Sequence, residues 1–402
     1  MKELRGKHVV FIVENLSVPF DRRVWREANA LKEAGSNVSV ICPKGLKQDT
    51  KSYEIINDIE IYRYSIPLTQ SLAVGYLWEY FKAFWATFFI LLKINLKQKV
   101  NAIHVANPLE IFFPLGWLGK ILNYKFIFDH HDLSPESFIY KYNVSKDSII
   151  VKIILLMERL TVHTSDFIFS TNDSLRKIVI ERDQADPSKV TIVRNGPDKS
   201  FLPVKSNPLL KKGKDFLLSY IGVMGIMDGV ENIIYAIEYL VKEEDYNNFH
   251  TILIGYGDEY NNHKKLIKNL RLESFIEMPG RLSDDDVKEI LSTCDICLAP
   301  DPRNGLNEYH TMNKIMDYMR MEKPIVSFDL DETKFSAGEA ALYVENNDVI
   351  GFANAIRSLL NDDKLRKKLG LIGKERVEKK LTWEHSKKNL LKEYQRILSE
   401  EK

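Results

Sequence analysis

What most constrains this chain is a rhythm. Short, continuous apolar runs alternate with amphipathic helical segments, and the series occurs twice. The first run, His8 to Glu14 (HVVFIVE), lacks polar alternation, as expected of a parallel strand buried on both faces. A loop at Asn15 to Phe20 leads to a helix over Asp21 to Ala34, with Gly35 placed to end it, and then to a strand at Val38 to Cys42. Strands are expected again at Ala102 to Val105, Lys125 to Phe128 and Phe167 to Ser170. A second series follows the turn signal Asn195-Gly196-Pro197. Its strands fall at Phe216 to Ile221, His250 to Ile254, Ile276 to Met278, Ile296 to Ala299, Pro324 to Phe328 and Ala341 to Val344, with helices such as Glu231 to Lys242 and Asp285 to Ser292 between them.

This order argues an α/β protein of two Rossmann-like, doubly wound halves, each an open parallel sheet. The length of 402 residues, too great for one ordinary core, agrees. The reading sets the halves at 1–197 and 198–383. A break at Thr382-Trp383 precedes a charged helix over 384–402, expected to pack back on the first half. Ligands of such sheets bind at the carboxyl ends of strands, so with two sheets facing each other the cleft between them is the expected site.

A hydrophobic content of 45% with 28% charged residues is ordinary for a globular protein, and a formal charge of +1 offers no electrostatic footprint for nucleic acid. The first fifteen residues read as a basic start and a strand rather than a signal peptide, and there are three cysteines, so a cytoplasmic setting without a disulfide framework is expected. Cys294 and Cys297 form a C-x-x-C pair, but a structural zinc site needs a second pair of ligands that the sequence lacks. They read as small apolar residues of a buried strand, Cys294 starting it and Cys297 inside it. Asp284-Asp285-Asp286 follows Ser283 and reads as a capped helix start, not a metal motif.

Aromatic density peaks at Tyr76 to Leu92, within a segment 76–99 that ends in the basic run LKINLKQK. Its longest charge-free stretch, Ala83 to Leu92, has ten residues, against about 20 needed to span a bilayer. Trp78, Phe81, Trp85 and Phe89 recur at helical spacing. Two readings stay open: a core helix against the first sheet, or a helix whose exposed face meets a membrane surface.

The chemistry concentrates between Leu298 and Asp329. A strand end is followed by a polar loop with Glu308, then a short amphipathic helix carrying Lys314 and Asp317, then another strand. A helix N-terminus and a lysine suit phosphate, and a carboxylate suits sugar or ribose hydroxyls. Ile315, Met316 and Met319 supply the buried stripe, which leaves Lys314 and Asp317 together on another face at i, i+3. Earlier, Tyr220 to Ile237 reads as strand, glycine loop and helix, with Gly222, Gly225 and Gly229 placed to let backbone amides approach a diphosphate. FIFDHHDLSPE sets Asp129, His130, His131 and Asp132 directly after a strand. The two adjacent histidines cannot point the same way from an extended backbone.

Taken together, VENLSVPFDRRVWREANALKEAGSNVSVICPKG, FIFDHHDLSPE, the glycine loop and the Glu308 to Asp317 segment resemble the family-4 retaining glycosyltransferases, in a branch that builds bacterial surface polysaccharides. The resemblance covers most of the chain and implies a GT-B fold, with the donor on the second half and the acceptor on the first. It implies transfer from a nucleotide-sugar, UDP favoured over GDP, to a glycan on a polyprenyl-diphosphate carrier, at the inner face of the plasma membrane. It implies neither cofactor nor metal. The donor-binding pattern of the family is Glu-x7-Glu; here Glu308 and Asp317 lie nine positions apart and the second acid is shorter. The carry-over places His131, Glu308 and Lys314 in catalysis, and Gly222, Gly225, Gly229, Gly255, Arg281, Asn313 and Asp317 on the donor. Arg22, Arg23, Asp132 and Glu136 fall on the acceptor side, where guanidinium groups suit a pyrophosphate. Family members commonly carry basic residues in the glycine loop, where this chain has Met224 and Met227, so Lys314 is expected to supply that charge. The alternatives are an epimerase of sugar nucleotides on the same architecture, a hydrolase using Glu308 and Asp317 as its acid pair, and a non-catalytic nucleotide-sugar sensor.

Overall fold

The computed structural model describes residues 4–45, 49–65, 73–108 and 110–399, and within helix α2 the side chains from Trp78 onward. The side chains of Tyr76 and Leu77, which open the aromatic segment, lie outside the described residues. The chain forms two compact units, Met1–Arg194 with Ser386–Lys402, and Asn195–His385.

The first unit holds strands β1 (His8–Ile12), β2 (Asn37–Pro43), β3 (Tyr53–Ile56), β4 (Ile59–Tyr64), β5 (Ala102–Ala106), β6 (Lys125–His130), β7 (Phe167–Ser170) and β8 (Val190–Ile192). They form one sheet in the order β3-β4-β2-β1-β5-β6-β7-β8. All pairings are parallel except β3 with β4, where Tyr53 faces Tyr62 in an antiparallel hairpin. This edge departs from the wholly parallel sheet expected. Its turn residues Asn57 and Asp58 have φ of 53° and 57°, the geometry of a two-residue type I′ turn, so an Asn-Asp pair between β-branched residues was the available signal.

The helices are α1 (Arg22–Glu33), α2 (Ala73–Lys97), α3 (Phe113–Leu122), α4 (Ser134–Tyr142), α5 (Ile149–Thr164) and α6 (Asp173–Glu181). Asp21 caps α1 by accepting from the Arg23 and Val24 amides, and the chain leaves the helix through Gly35 at φ 98°. From β1 to β2 the chain steps one way along the sheet; from β4 through β5 and β6 to β7 it steps the other way. Right-handed crossovers therefore place α1 on one face and α2, α3, α4 and α5 side by side on the opposite face.

Helix α2 settles which of its faces the sheet takes. Ala83, Thr87, Leu91 and Ile94 are buried, whereas Trp78, Phe81, Trp85 and Phe89 are 40–62% exposed. The core-helix reading fails for those four aromatics.

In the second unit, β9 (Phe216–Ile221), β10 (Phe249–Ile254), β11 (Ile276–Gly280), β12 (Ile296–Ala299), β13 (Ile325–Phe328) and β14 (Ala341–Val344) form a sheet in the order β11-β10-β9-β12-β13-β14, parallel throughout. Its helices are α7 (Val230–Lys242), α8 (Tyr260–Asn269), α9 (Asp284–Thr293), α10 (Asn313–Arg320), α11 (Asp331–Ala337), α12 (Val349–Asn361) and α13 (Asp363–Arg376). One apolar cluster joins Ile233, Ile237 and Leu240 of α7 with Phe352 and Ile356 of α12. A second joins Ile290 and Leu291 of α9 with Ile315 and Met319 of α10. Ser283 caps α9 through the Asp286 amide, 3.2 Å away. Cys294 lies at the end of that helix rather than starting a strand; its sulfur is 3.4 Å from that of Cys297 in β12, both buried.

The last helix, α14 (Trp383–Ser399), begins in the second unit and enters the first at Ser386. There the Tyr394 hydroxyl lies 2.7 Å from Nδ1 of His104 in β5.

Candidate functional site

In the second unit the glycines expected to meet a donor lie in the loops that follow strands β9 and β10. Gly222 and Gly255 follow β9 and β10, and there the two backbones touch: a Cβ on Gly255 would stand 1.8 Å from the Gly222 carbonyl oxygen. Gly255 also has φ 145°, a conformation L side chains rarely adopt. The Gly222 amide donates to Ile254 O (3.1 Å), Gly255 to Gly280 O (3.0 Å) and Met224 to Tyr256 O (3.3 Å), so three loops are laced together. A Cβ on Gly229 would meet Pro300 O at 2.5 Å, which fastens the start of α7 to the loop after β12. The glycines therefore serve loop packing first. For Gly225 the expectation of a phosphate-facing amide is corrected: its N–H is spent on the Asp228 carboxylate, 3.0 Å away.

Lys314 stands in the first turn of α10, and it points inward. Only 9% exposed, its Nζ lies 2.7 Å from Asp301 Oδ1 and 4.7 Å from the centre of the Tyr220 ring. Lys314 and Asp317, expected together on a face apart from the buried stripe, differ in burial: Lys314 is buried against Asp301 while Asp317 stays half-buried. Burial lifts the Asp228 carboxyl above its ordinary value, opposed by the Lys314 charge. One cation with Asp301 and Asp228 thus forms the electrostatic centre of this crevice. Asp301 lies two residues past β12, a position that marks it out, yet the reading of the sequence passed over it.

The loop between β12 and α10 is organised by asparagines. Asn304 Oδ1 accepts from the Leu306 and Asn307 amides at 2.9 and 2.7 Å. Asn307 Nδ2 donates to Pro302 O and, at 2.8 Å, to Met227 O, which pins this loop to the glycine loop. Glu308 is half-buried with Oε1 3.1 Å from Arg303 Nη1. Asn313 is exposed at the start of α10, where Met312 gives the helix no side-chain cap. Arg281 is exposed just past β11. The buried Tyr318 hydroxyl donates to Leu298 O at 3.1 Å and accepts from the Ile221 amide at 2.9 Å, joining α10 to β12 and β9. Aromatic residues on a helix announce burial but not this bridge, so the sequence reading missed it.

In the first unit Asp129 is a hub. The Arg23 guanidinium holds its two oxygens at 2.6 and 2.7 Å, donates to Val193 O at 2.9 Å and lies 3.2 Å from Glu27. The structure thus sets Arg23, expected on the acceptor side, in a buried ion-pair network, while Arg22 beside it is exposed. Burial pushes Asp129 up, but Arg23, His104 and His131 outweigh it and hold the carboxyl well below the usual range. Burial likewise disfavours the charged form of His131, yet Asp129, 3.3 Å from its Nδ1, raises it to about 8. Asn107 Oδ1 accepts from the His131 and Asp132 amides at 2.9 and 3.0 Å and so shapes the loop. His131 is 17% exposed, while His130 turns away into the core, 3.0 Å from Glu158 and lowered by burial to about 4. Asp132 is half-buried. Glu136 is drawn to Arg182 at 2.6 Å, which also holds Glu158. Ligand atoms of Glu27, His104 and Asp129 lie within 4.8 Å of one another, a spacing that suits a metal. The Arg23 guanidinium already supplies the positive charge there.

Residues 21–201 match the family described as Glycosyltransferase Family 4, and residues 215–362 the family described as Glycosyl transferases group 1. A capsular polysaccharide biosynthesis glycosyltransferase, CapM of Staphylococcus aureus, is 20% identical over 57% of this chain and 61% of its own length, less than two thirds of that protein. The structure of sucrose-phosphate synthase from Thermosynechococcus elongatus superposes with a TM-score of 0.75 at 18% identity, covering 98% of this chain and all of that one (100%). That of Anabaena Alr3699/HepE in complex with UDP-glucose does so with a TM-score of 0.70 at 12% identity, covering 96% and 99%. At such identities the likeness shows the fold alone, two parallel-sheet α/β domains of GT-B type.

Proposed function

Since this chain belongs to the glycosyltransferases, with a family 4 domain followed by a group 1 domain, we propose that it moves a sugar, with retention of anomeric configuration, from a UDP-sugar to a polyprenyl-diphosphate-linked glycan of a bacterial surface polysaccharide. One observation carries the donor half of this reading. The Lys314 ammonium stands 2.7 Å from Asp301 among interlocked glycine loops at the carboxyl ends of β9 and β12. A cation there, with the N-termini of α7 and α10, suits a diphosphate, for which the donor would compete with Asp301. The HepE complex with UDP-glucose supports uridine as the base, and the CapM name supports a surface polysaccharide as the destination.

In this reading Lys314 stabilises charge growing on the leaving diphosphate, and Glu308 or Asp317 holds ribose or sugar hydroxyls. The acceptor hydroxyl attacks from the face the diphosphate leaves, so the protein's work is alignment. His131, charged at neutral pH through Asp129, contributes a fixed hydrogen-bond donor on the first unit. Arg22 and Asp132 remain on the acceptor side. Helix α2, which carries most of the segment 76–99, brings the enzyme to the inner membrane surface that carries a lipid-linked acceptor.

The test is a thermal-shift panel of UDP-, GDP- and ADP-sugars on wild type and Glu308→Ala, because a ligand of the native state raises its midpoint. A rise with UDP-sugars, reduced in the variant, supports the site. A rise only with another nucleotide class removes the uridine assignment, and no rise with any removes the site. Donor turnover that depends on added acceptor separates a transferase from an epimerase, which needs none, and from a sensor, which turns nothing over.

A further inference from the structure

The exposed aromatics of α2 do not stand alone. Helices α2, α3 and α5 lie side by side on one face of the first sheet, and each turns apolar side chains outward. Phe84 of α2 stacks on Phe112 at the start of α3, centroids 6.3 Å apart. Gly116 lets α3 and α5 close up, since a Cβ there would stand 2.3 Å from Thr164. Outward on α2 are Trp78, Phe81, Trp85 and Phe89. On α3, Trp117 and Ile121 are 50% and 79% exposed. On α5, Ile149, Ile153 and Leu156 are 49–70% exposed. Isolated exposed apolar residues are ordinary, but a set shared by neighbouring helices marks an interaction surface.

We propose that this three-helix face is the seat of the protein on an anionic lipid surface, lying on the bilayer without crossing it. Charge decides the occupant. On α2 from Trp78, on α3 and on residues 149–156 of α5, the cations are Lys82, Lys93, Lys97, Lys120 and Lys152, and the acid is Glu79. Lys97 is paired with Glu60 at 2.5 Å; Lys93, Lys120 and Lys152 are exposed and Lys82 half-buried on the same three helices as the exposed apolar residues. Protein interfaces favour arginine and are depleted in lysine, whereas tryptophan with lysine is the signature of a membrane–water boundary. Lys82 lies with its ammonium 5.1 Å from the Trp78 ring, an apolar stem along the aromatic surface and a charge at its rim. Among the described residues no helix is long and apolar enough to cross a membrane.

The proposal extends the reading of a lipid-linked acceptor and rests on it for its purpose, but the binding itself is measurable without sugar transfer. The full chain is floated with vesicles of phosphatidylcholine and phosphatidylglycerol, and with phosphatidylcholine alone, at low and high salt. Wild type should bind the anionic vesicles and lose most binding in salt. Trp85→Ser with Phe89→Ser on α2, and Ile153→Ser with Leu156→Ser on α5, should each weaken partitioning about tenfold or more. Lys93→Glu with Lys152→Glu, exposed changes that spare the core, should do the same with an unchanged melting temperature. Failure of wild type to bind anionic vesicles overturns the proposal, as does undiminished binding by the α5 pair, which would restrict the contact to α2. A dimer in light scattering that the α2 pair dissociates also overturns it, making a second copy the occupant. Donor thermal shifts on the same samples separate this outcome from the glycosyltransferase reading: a protein that binds UDP-sugar but no vesicle keeps its function and loses this surface.

Discussion

Replacing Gly255 by alanine tests how the donor crevice is built. Two costs meet at this residue. Its φ of 145° disfavours any L side chain, worth about 1–3 kcal/mol. Its new Cβ would also stand 1.8 Å from the Gly222 carbonyl oxygen, about 1.5 Å inside ordinary contact. Opening that gap pulls at the Gly222 to Ile254 and Gly255 to Gly280 hydrogen bonds, 3.1 and 3.0 Å long, each worth about 0.5–1.5 kcal/mol. The sum is about 2–6 kcal/mol. Two other glycines separate the contributions. Gly213 has φ 80° but nothing within 4 Å of its would-be Cβ, so Gly213→Ala reads the backbone cost alone. Gly305 also has open space and no such φ, so Gly305→Ala should change stability by less than about 0.5 kcal/mol. Calorimetric unfolding of the full chain should rank Gly255→Ala well below Gly213→Ala, with Gly305→Ala beside wild type. Equal losses at Gly255 and Gly213 would refute the argument that loop contact, rather than backbone angle, makes glycine necessary there.

Tyr318→Phe removes a hydroxyl that serves Leu298 O and leaves the Ile221 amide without that acceptor; a loss of about 2 kcal/mol is expected in urea titrations, and a variant as stable as wild type would show that the bridge does not hold α10 in place. His131 supplies a pH dependence. Its pKa rises on folding from 6.5 to about 8, so its contribution of about 2 kcal/mol is fully present below the unfolded value and is lost as pH climbs through the folded one. Between about pH 6 and pH 9 wild type should lose that much more stability than His131→Asn; parallel curves would mean that Asp129 does not hold the imidazolium.

Much of the architecture was legible because it depends on near neighbours. Unbroken apolar runs such as HVVFIVE announce strands buried on both faces, and the Asp21 cap and Gly35 exit bracket α1 through bonds that span a few residues. Glycines after β9 and β10 and the polar loop before α10 marked the donor side for the same reason. The β3–β4 hairpin was missed although its Asn57-Asp58 turn is local, because a short edge pair of four and six residues stands outside the parallel strand–helix rhythm of the rest.

The sequence by itself determined the two α/β series, their caps and turns, and which loops carry glycines, acids and a lysine. Only the tertiary structure decided what those side chains meet. Arg23 and Asp129 are 106 positions apart, so nothing short of the assembled sheet could turn an apparent phosphate ligand into a buried ion pair. Lys314 could face outward with Asp317 or inward to Asp301, since a helix of eight residues offers both directions and only the strand beneath it selects one. Helix α2 is apolar on more than one side, so its periodicity could not say which stripe the sheet would cover. Packing against β-strand neighbours buried Ala83, Thr87, Leu91 and Ile94 and left the aromatics outside, because a sheet accepts one face of a helix and the remainder must find its partner elsewhere.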